Sequence, residues 1–110
     1  MKTQSPLLIL SMAAMAAQTV NRFVGLDGGV CAAGAKAAGV AQFDADATEQ
    51  VGVASHGLLL VEAGAAIAAG DEVESDATGR AITKTTGASN GYALDAAAAA
   101  GDVIRILRGI

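Results

Sequence analysis

The sequence predicts an all-β fold, a small barrel or sandwich, and three observations predict it. Short apolar runs alternate with Gly, Asp-Gly and Asn-Gly punctuation, and no 3.6-residue period is sustained anywhere in the 110 residues. The chain also reads as two pseudo-repeats of about fifty residues. Leu7-Leu8-Ile9-Leu10 recurs as Leu58-Leu59-Leu60-Val61, Ala14-Met15-Ala16-Ala17 as Ala66-Ile67-Ala68-Ala69, and Gly39-Val40-Ala41 as Gly91-Tyr92-Ala93. Val24-x-x-Asp27-x-Gly29 returns as Val73-x-x-Asp76-x-x-Gly79. Third, the turns pair up: Ala69-Gly70-Asp71 and Ala100-Gly101-Asp102 each introduce a strand. The expected layout is an N-terminal arm, 1–6, and one barrel domain, 7–110, with halves 7–57 and 58–110.

The first element is the apolar run 7–17. With Lys2 ahead of it and small residues around Ala14 and Ala16, it imitates a secretory signal. Its counterpart at 58–69 lies mid-chain, where no signal acts, so both runs are read as strands with their following turns. Eleven residues also fall short of the ~20 that a membrane-spanning helix needs. The chain is therefore expected to be made and used without export. Pro6, with its fixed φ and missing amide hydrogen, marks where the arm enters the folded part.

The predicted strands are 7–11, 21–26, 30–33, 38–43, 50–54, 57–62, 72–75, 81–85, 91–94 and 103–107. Asp27-Gly28-Gly29 and Asn90-Gly91 supply residues that accept positive φ. Gly29 and Gly79 are expected in equivalent turns, and Gly70 and Gly101 at equivalent strand starts. Residues 87–91 read as a mobile loop. The five alanines at 96–100 have top helix propensity but are too few for a stable helix. One helical turn across a barrel end is expected there, and at most one or two in the chain.

Composition bounds the partners. Alanine and glycine fill 41 positions, and the aromatics are only Phe23, Phe43 and Tyr92. A core of small side chains gains about 0.8 kcal/mol per buried methylene, far less than a ring supplies. A marginal monomer is expected to bury more surface against other subunits. A net charge of −4 and a pI near 4.6 argue against binding a nucleic acid backbone. Lys36, Arg80 and Lys84 are scattered, and only Arg105 and Arg108 lie close together. The single cysteine, Cys31, rules out an internal disulfide and fits a reducing compartment.

No residue pattern argues for catalysis, a cofactor or a metal. His56, between Ser55 and Gly57, reads as a solvated turn residue without ligand neighbours. Asp44-Ala45-Asp46-Ala47-Thr48-Glu49 begins like a calcium loop, but Glu49 stands where such a loop needs Gly and Ser55 where it needs Glu. It reads as a solvated acidic turn. Asp71-Glu72-Val73-Glu74-Ser75-Asp76 reads as a strand with Glu72 and Glu74 facing outward. Cys31 has no nearby base or cation and reads as a small hydrophobe.

Arg22-Phe23-Val24 with Asp27-Gly28, and Ala38-Gly39-Val40-Ala41, resemble the first half of the small capsid decoration, or cement, proteins of tailed bacteriophages. The second half is closer: Val61-Glu62-Ala63-Gly64-Ala65-Ala66-Ile67, Gly70-Asp71-x-Val73, Asp76-Ala77-x-Gly79-Arg80-Ala81, Gly91-x-Ala93-Leu94 and Ala100-Gly101-Asp102-x-Ile104-x-Ile106. The resemblance runs from about Leu7 to Arg108, and residues 1–18 depart most from the pattern. It implies a small β-barrel that assembles as a homotrimer on the outside of a capsid, with the major capsid protein as partner and no catalytic residues. It places the protein on the virion, stabilising the shell, without nucleic acid, membrane or cofactor. The expected capsid contacts are Met1, Lys2, Thr3, Gln4, Ser5, Pro6, Leu7 and Leu8, because the arm lies outside the repeat and Lys2 stands apart from an acidic chain. Two other classes fit parts of the sequence. One is an exported surface- or carbohydrate-binding domain with a cleaved N-terminus. The other is a small hydrolase using the acidic strand 72–76.

Overall fold

The structure, a computed structural model, describes residues 5–108, and these form eight strands and no helix. The strands are β1 (Ser5–Ala13), β2 (Phe23–Gly25), β3 (Ala37–Ala41), β4 (Gln50–Glu62), β5 (Val73–Ser75), β6 (Ala81–Thr83), β7 (Tyr92–Ala93) and β8 (Val103–Arg108). All pair antiparallel. One sheet runs β2-β3-β4-β8-β7, with β1 joined to β4, and curls into a half-barrel; β5 and β6 form a separate ribbon. The long strand β4 organises everything, because its first part carries β1 and β3 and its last part carries β8.

Period-two patterning explains the core. On β8, Ile104 and Ile106 point inward while Val103, Arg105 and Leu107 are half-buried. On β4, Val51, Val53, Leu59 and Val61 are fully buried. The larger apolar cluster gathers Phe23, Val40, Leu59, Val61, Ile67, Val73, Ile104 and Ile106 around Cys31 and several alanines. A smaller one contains only Ala and Val, from Ala14, Val24, Ala38, Ala41, Ala45, Val51 and Val53, with Met12 against it.

Corresponding hydrogen bonds recur in the two halves. Leu10 and Met12 on β1 face Val53 and Val51, and Leu59 and Val61 on β4 face Ile106 and Ile104. Ala14 then bonds to Glu49 and Thr48 just as Ala63 bonds to Asp102 and Gly101. The bridge Gln18↔Ala45 is matched by Ile67↔Ala97, and Val40↔Ala54 with Ala41↔Val53 by Tyr92↔Leu107 with Ala93↔Ile106. Pairing thus aligns Leu10 with Leu59, two residues away from the alignment that sequence similarity suggests. Gly39 and Gly91 serve the same packing need. A Cβ on Gly39 would overlap the Ala54 carbonyl, and one on Gly91 would come within 2.9 Å of the Leu107 carbonyl oxygen.

Several local expectations are corrected. Residues 50–54 and 57–62 are one strand, so His56 lies within β4 and not in a turn; Gly57, at φ 104°, lets the strand bend where β1 shifts register opposite Leu8. Residues 30–33 form no strand, and only Val30 bridges, to Val24. The alanines at 96–100 form no helical turn. Ala97 instead bridges Ile67 through two hydrogen bonds, and the Asp102 carboxylate accepts from the amides of Ala98 and Ala99, so long-range pairing overrides a propensity too short to act alone. The residue matching Gly79 in its turn is Gly28, at φ 88° against 84°, and not Gly29. Ser5 and Pro6, expected in the arm, belong to a strand: β1 begins at Ser5, and Pro6 faces Gly57 on an outer strand, where a missing amide hydrogen is tolerated.

Candidate functional site

Of the expected contact residues, Met1, Lys2, Thr3 and Gln4 lie outside the described residues. Ser5, Pro6 and Leu7 belong to β1, and Leu8 is exposed. Exposure continues through Ile9 and Leu10, so three consecutive large apolar side chains stand open on both faces of one strand. Among the described residues β1 pairs only with β4, and the strand has no charged residue. Outer strands are normally blunted by charge, brevity or cover, because their free amides and carbonyls invite further pairing. Nine residues of uncharged strand are the opposite of that protection.

Beside β1 lies a groove of about 470 Å³ lined by Leu10, Leu26, Lys36, His56, Tyr92 and Arg108, with Glu72 at the same site. Arg108, at the end of β8, is 9% exposed. Its Nη1 donates to the carbonyls of Ser55 (2.7 Å) and Ala38 (2.9 Å), its Nη2 to that of Ala37, and its Nε is buried without a hydrogen-bond partner. Burial lowers its pKa from the usual arginine value, with the carbonyl dipoles as its direct partners. Lys36 Nζ donates to the Ser89 carbonyl at 2.6 Å. The Ser55 hydroxyl lies 2.9 Å from His56 Nδ1 on the next residue, and both residues line the groove.

The acidic turn after β3 is exposed, as expected. Asp44 Oδ1 accepts from the Val20 amide at 2.8 Å, and Glu49 Oε1 accepts from the Asp46 amide at 2.7 Å. With Gln18 and Thr19 these acids line a shallow cleft of about 310 Å³. Phe43, just ahead of them, is half exposed.

The acidic strand is different from its expected form. Glu74 does not face outward; it is buried, with Oε1 accepting from the Thr85 amide (2.5 Å), the Thr85 hydroxyl (3.0 Å) and the Gly87 amide (3.4 Å). The Thr85 amide above all holds its carboxyl below the ordinary range. Residues 87–91 are correspondingly pinned. Lys36 holds Ser89, while buried Asn90 accepts from the Ala37 amide at 2.9 Å and donates to the Ala35 carbonyl at 3.0 Å. Cys31 is fully buried, and desolvation raises its thiol pKa, which suits an inert core position. Among the described residues no three His, Cys, Asp or Glu side chains gather to hold a metal ion.

The described surface therefore presents an open apolar strand, a partly basic groove beside it and an acidic turn elsewhere. Sequence reasoning did not find the buried roles of Arg108 and Glu74, whose partners lie far along the chain. A family model described as phage cement protein matches residues 1–108. The chain belongs to the phage cement protein family. It is a structural protein of the bacteriophage virion, and its place is on the capsid. Comparison of structures finds similarity to the N base of head fiber gp8.5 in bacteriophage phi29, with a TM-score of 0.78, 20% sequence identity and 93% of each chain covered. At that identity the likeness establishes the shared fold. Comparison with curated proteins found no match.

Proposed function

We propose that this cement protein binds the outer surface of a phage capsid as a homotrimer and stabilises the shell, acting without catalysis. The observation that carries the reading is β1: an uncharged outer strand with Leu8, Ile9 and Leu10 exposed in succession. Such a strand is a liability in a free monomer and an asset in a chain that functions only when covered. The proposed partner is the major capsid protein, met through Met1, Lys2, Thr3, Gln4, Ser5, Pro6, Leu7 and Leu8. A trimer touching several shell subunits gains by multivalency, since each further foothold binds at high effective concentration. The acidic net charge suits a protein that must stay off packaged and host nucleic acid.

Because β1 begins at Ser5, removing residues 1–4 tests the contact without cutting the strand. The truncated protein is expected to fold and trimerise normally while losing capsid binding in a sedimentation assay. Undiminished decoration would move the contact from the arm to the body of the domain.

A further inference from the structure

We infer that the groove beside β1 receives the acidic turn 43–49 of a second copy of this chain, so that copies join head to tail. The inference rests on the homotrimer reading above and names the two surfaces that would make it. Its first support is a difference between positions that are equivalent by pairing. Leu59 is completely buried, whereas Leu10, which holds the same place in the first half, is 37% exposed and lines the groove. The fold covers one and leaves the other open.

The second support is charge. In a chain of net charge −4, this groove brings Lys36 and Arg108 together against a single acid, Glu72. Arg108 is buried against the carbonyls of Ala37, Ala38 and Ser55, with Nε unpartnered, so its charge is met by carbonyl dipoles and not by a bonded carboxylate. The acidic turn offers the complement: Asp44, Asp46 and Glu49 are exposed, each with at least one carboxylate oxygen beyond its local hydrogen bond. Half-exposed Phe43 supplies an aromatic anchor for the apolar part of the groove at Leu10, Leu26 and Tyr92. Aromatic anchors ringed by charge are the usual make-up of a specific interface.

Groove and turn are different patches of one molecule, so the contact is heterologous. Such contacts close into rings when the rotation allows, and a ring of three needs only one contact type used three times. The same contact would cover Leu10, leaving Leu8 and the residues before it to meet the shell.

A charge swap tests this. Lys36 and Asp46 are both exposed, so neither substitution disturbs the core. The intact protein is expected to sediment at three times the 10.7 kDa chain mass. Lys36→Glu and Asp46→Lys are each expected to weaken self-association by about tenfold or more with unchanged circular dichroism; Lys36→Glu also loses the Nζ bond to the Ser89 carbonyl, so its melting point is expected to fall slightly while that of Asp46→Lys stays the same. The double variant, which exchanges the two charges, is expected to recover it. Should the intact protein trimerise while both single variants do so equally well, or should the double variant fail to recover, this pairing is wrong and the homotrimer stands on other contacts. An intact protein that is monomeric both in solution and on decorated capsids would overturn the homotrimer reading itself, and this contact with it.

Discussion

In the second half of the chain, Leu59, Val61, Ile104 and Ile106 are all fully buried, while the residues at the same pairing positions in the first half are Leu10, Met12, Val51 and Val53, of which only the two valines are. The difference lies in the outer strand. In the second half that strand is the end of β4, which continues into the rest of the sheet; in the first half it is β1, which pairs with β4 alone among the described residues. The bridges match as well, yet Gln18 sits where the second half places Ile67. The first half therefore packs a core of Ala and Val beneath an uncovered strand. The second packs Leu and Ile beneath a strand that runs on from the rest of the sheet. Similar backbone pairing thus gives a covered strand in one half and an exposed one in the other.

Truncating the matched leucines gives the largest contrast. Leu59→Ala is expected to destabilise the folded chain by about 3 kcal/mol, through lost burial and the cavity left behind. Leu10→Ala is expected to cost under ~1 kcal/mol in the monomer while weakening assembly. Chemical denaturation of the two variants compares them directly, and equal losses would remove the distinction between the halves.

A smaller contrast lies in the turns that close each half. Gly101 has φ 95° and its matched residue is Thr48, at φ 74°, a conformation that a β-branched side chain resists. Gly101→Val should destabilise by roughly 1–3 kcal/mol, from backbone strain alone, since a Cβ there meets no atom within 4 Å. Thr48→Asn should act in the opposite direction, raising stability by about 0.5–1 kcal/mol, because Asn tolerates the left-handed region. Melting temperatures that move the same way for both variants would show that the two turns are not equivalent.

The pH dependence of the second half sharpens the comparison further. Glu74 is held below its ordinary value of 4.5 by the Thr85 amide. A depressed carboxylate contributes stability that is complete above the unfolded-state value and lost as pH falls through the lower folded one. Urea midpoints are therefore expected to drop on going from pH 5 towards pH 3, and Glu74→Gln should flatten that drop.

How much of this was legible in the sequence follows from how far apart the deciding atoms lie. Turn chemistry is local, so the glycines of Asp27-Gly28-Gly29, Asn90-Gly91, Ala69-Gly70-Asp71 and Ala100-Gly101-Asp102 could be read directly; Gly28, Gly70, Gly91 and Gly101 all have positive φ. Most strand positions were also legible, because apolar runs and punctuation mark them; the exceptions are 30–33, which forms no strand, and the break expected near His56, which lies inside β4. Glu74 was not, since alternation sent it outward and the amides that hold it inward come from the loop eleven and thirteen residues later. Arg108 escaped for the same reason: its carbonyl partners are 53 to 71 residues away. The alanine run misled because propensity is weak and the bridge to Ile67 is long-range. Residues 1–8 remain a proposed contact read from the sequence, while the open stretch through Leu10 and the groove beside it depend on which strands pair.

A protein that covers and strengthens a shell, as proposed, must act on purified, expanded capsids of the cognate phage. Capsids incubated with the intact protein should bind it at saturable, regularly spaced positions and then resist heating and chelator better than bare capsids, with the shell geometry unchanged. Capsids that fail to bind it, or that bind it and break down at the same temperature as bare shells, would contradict the account.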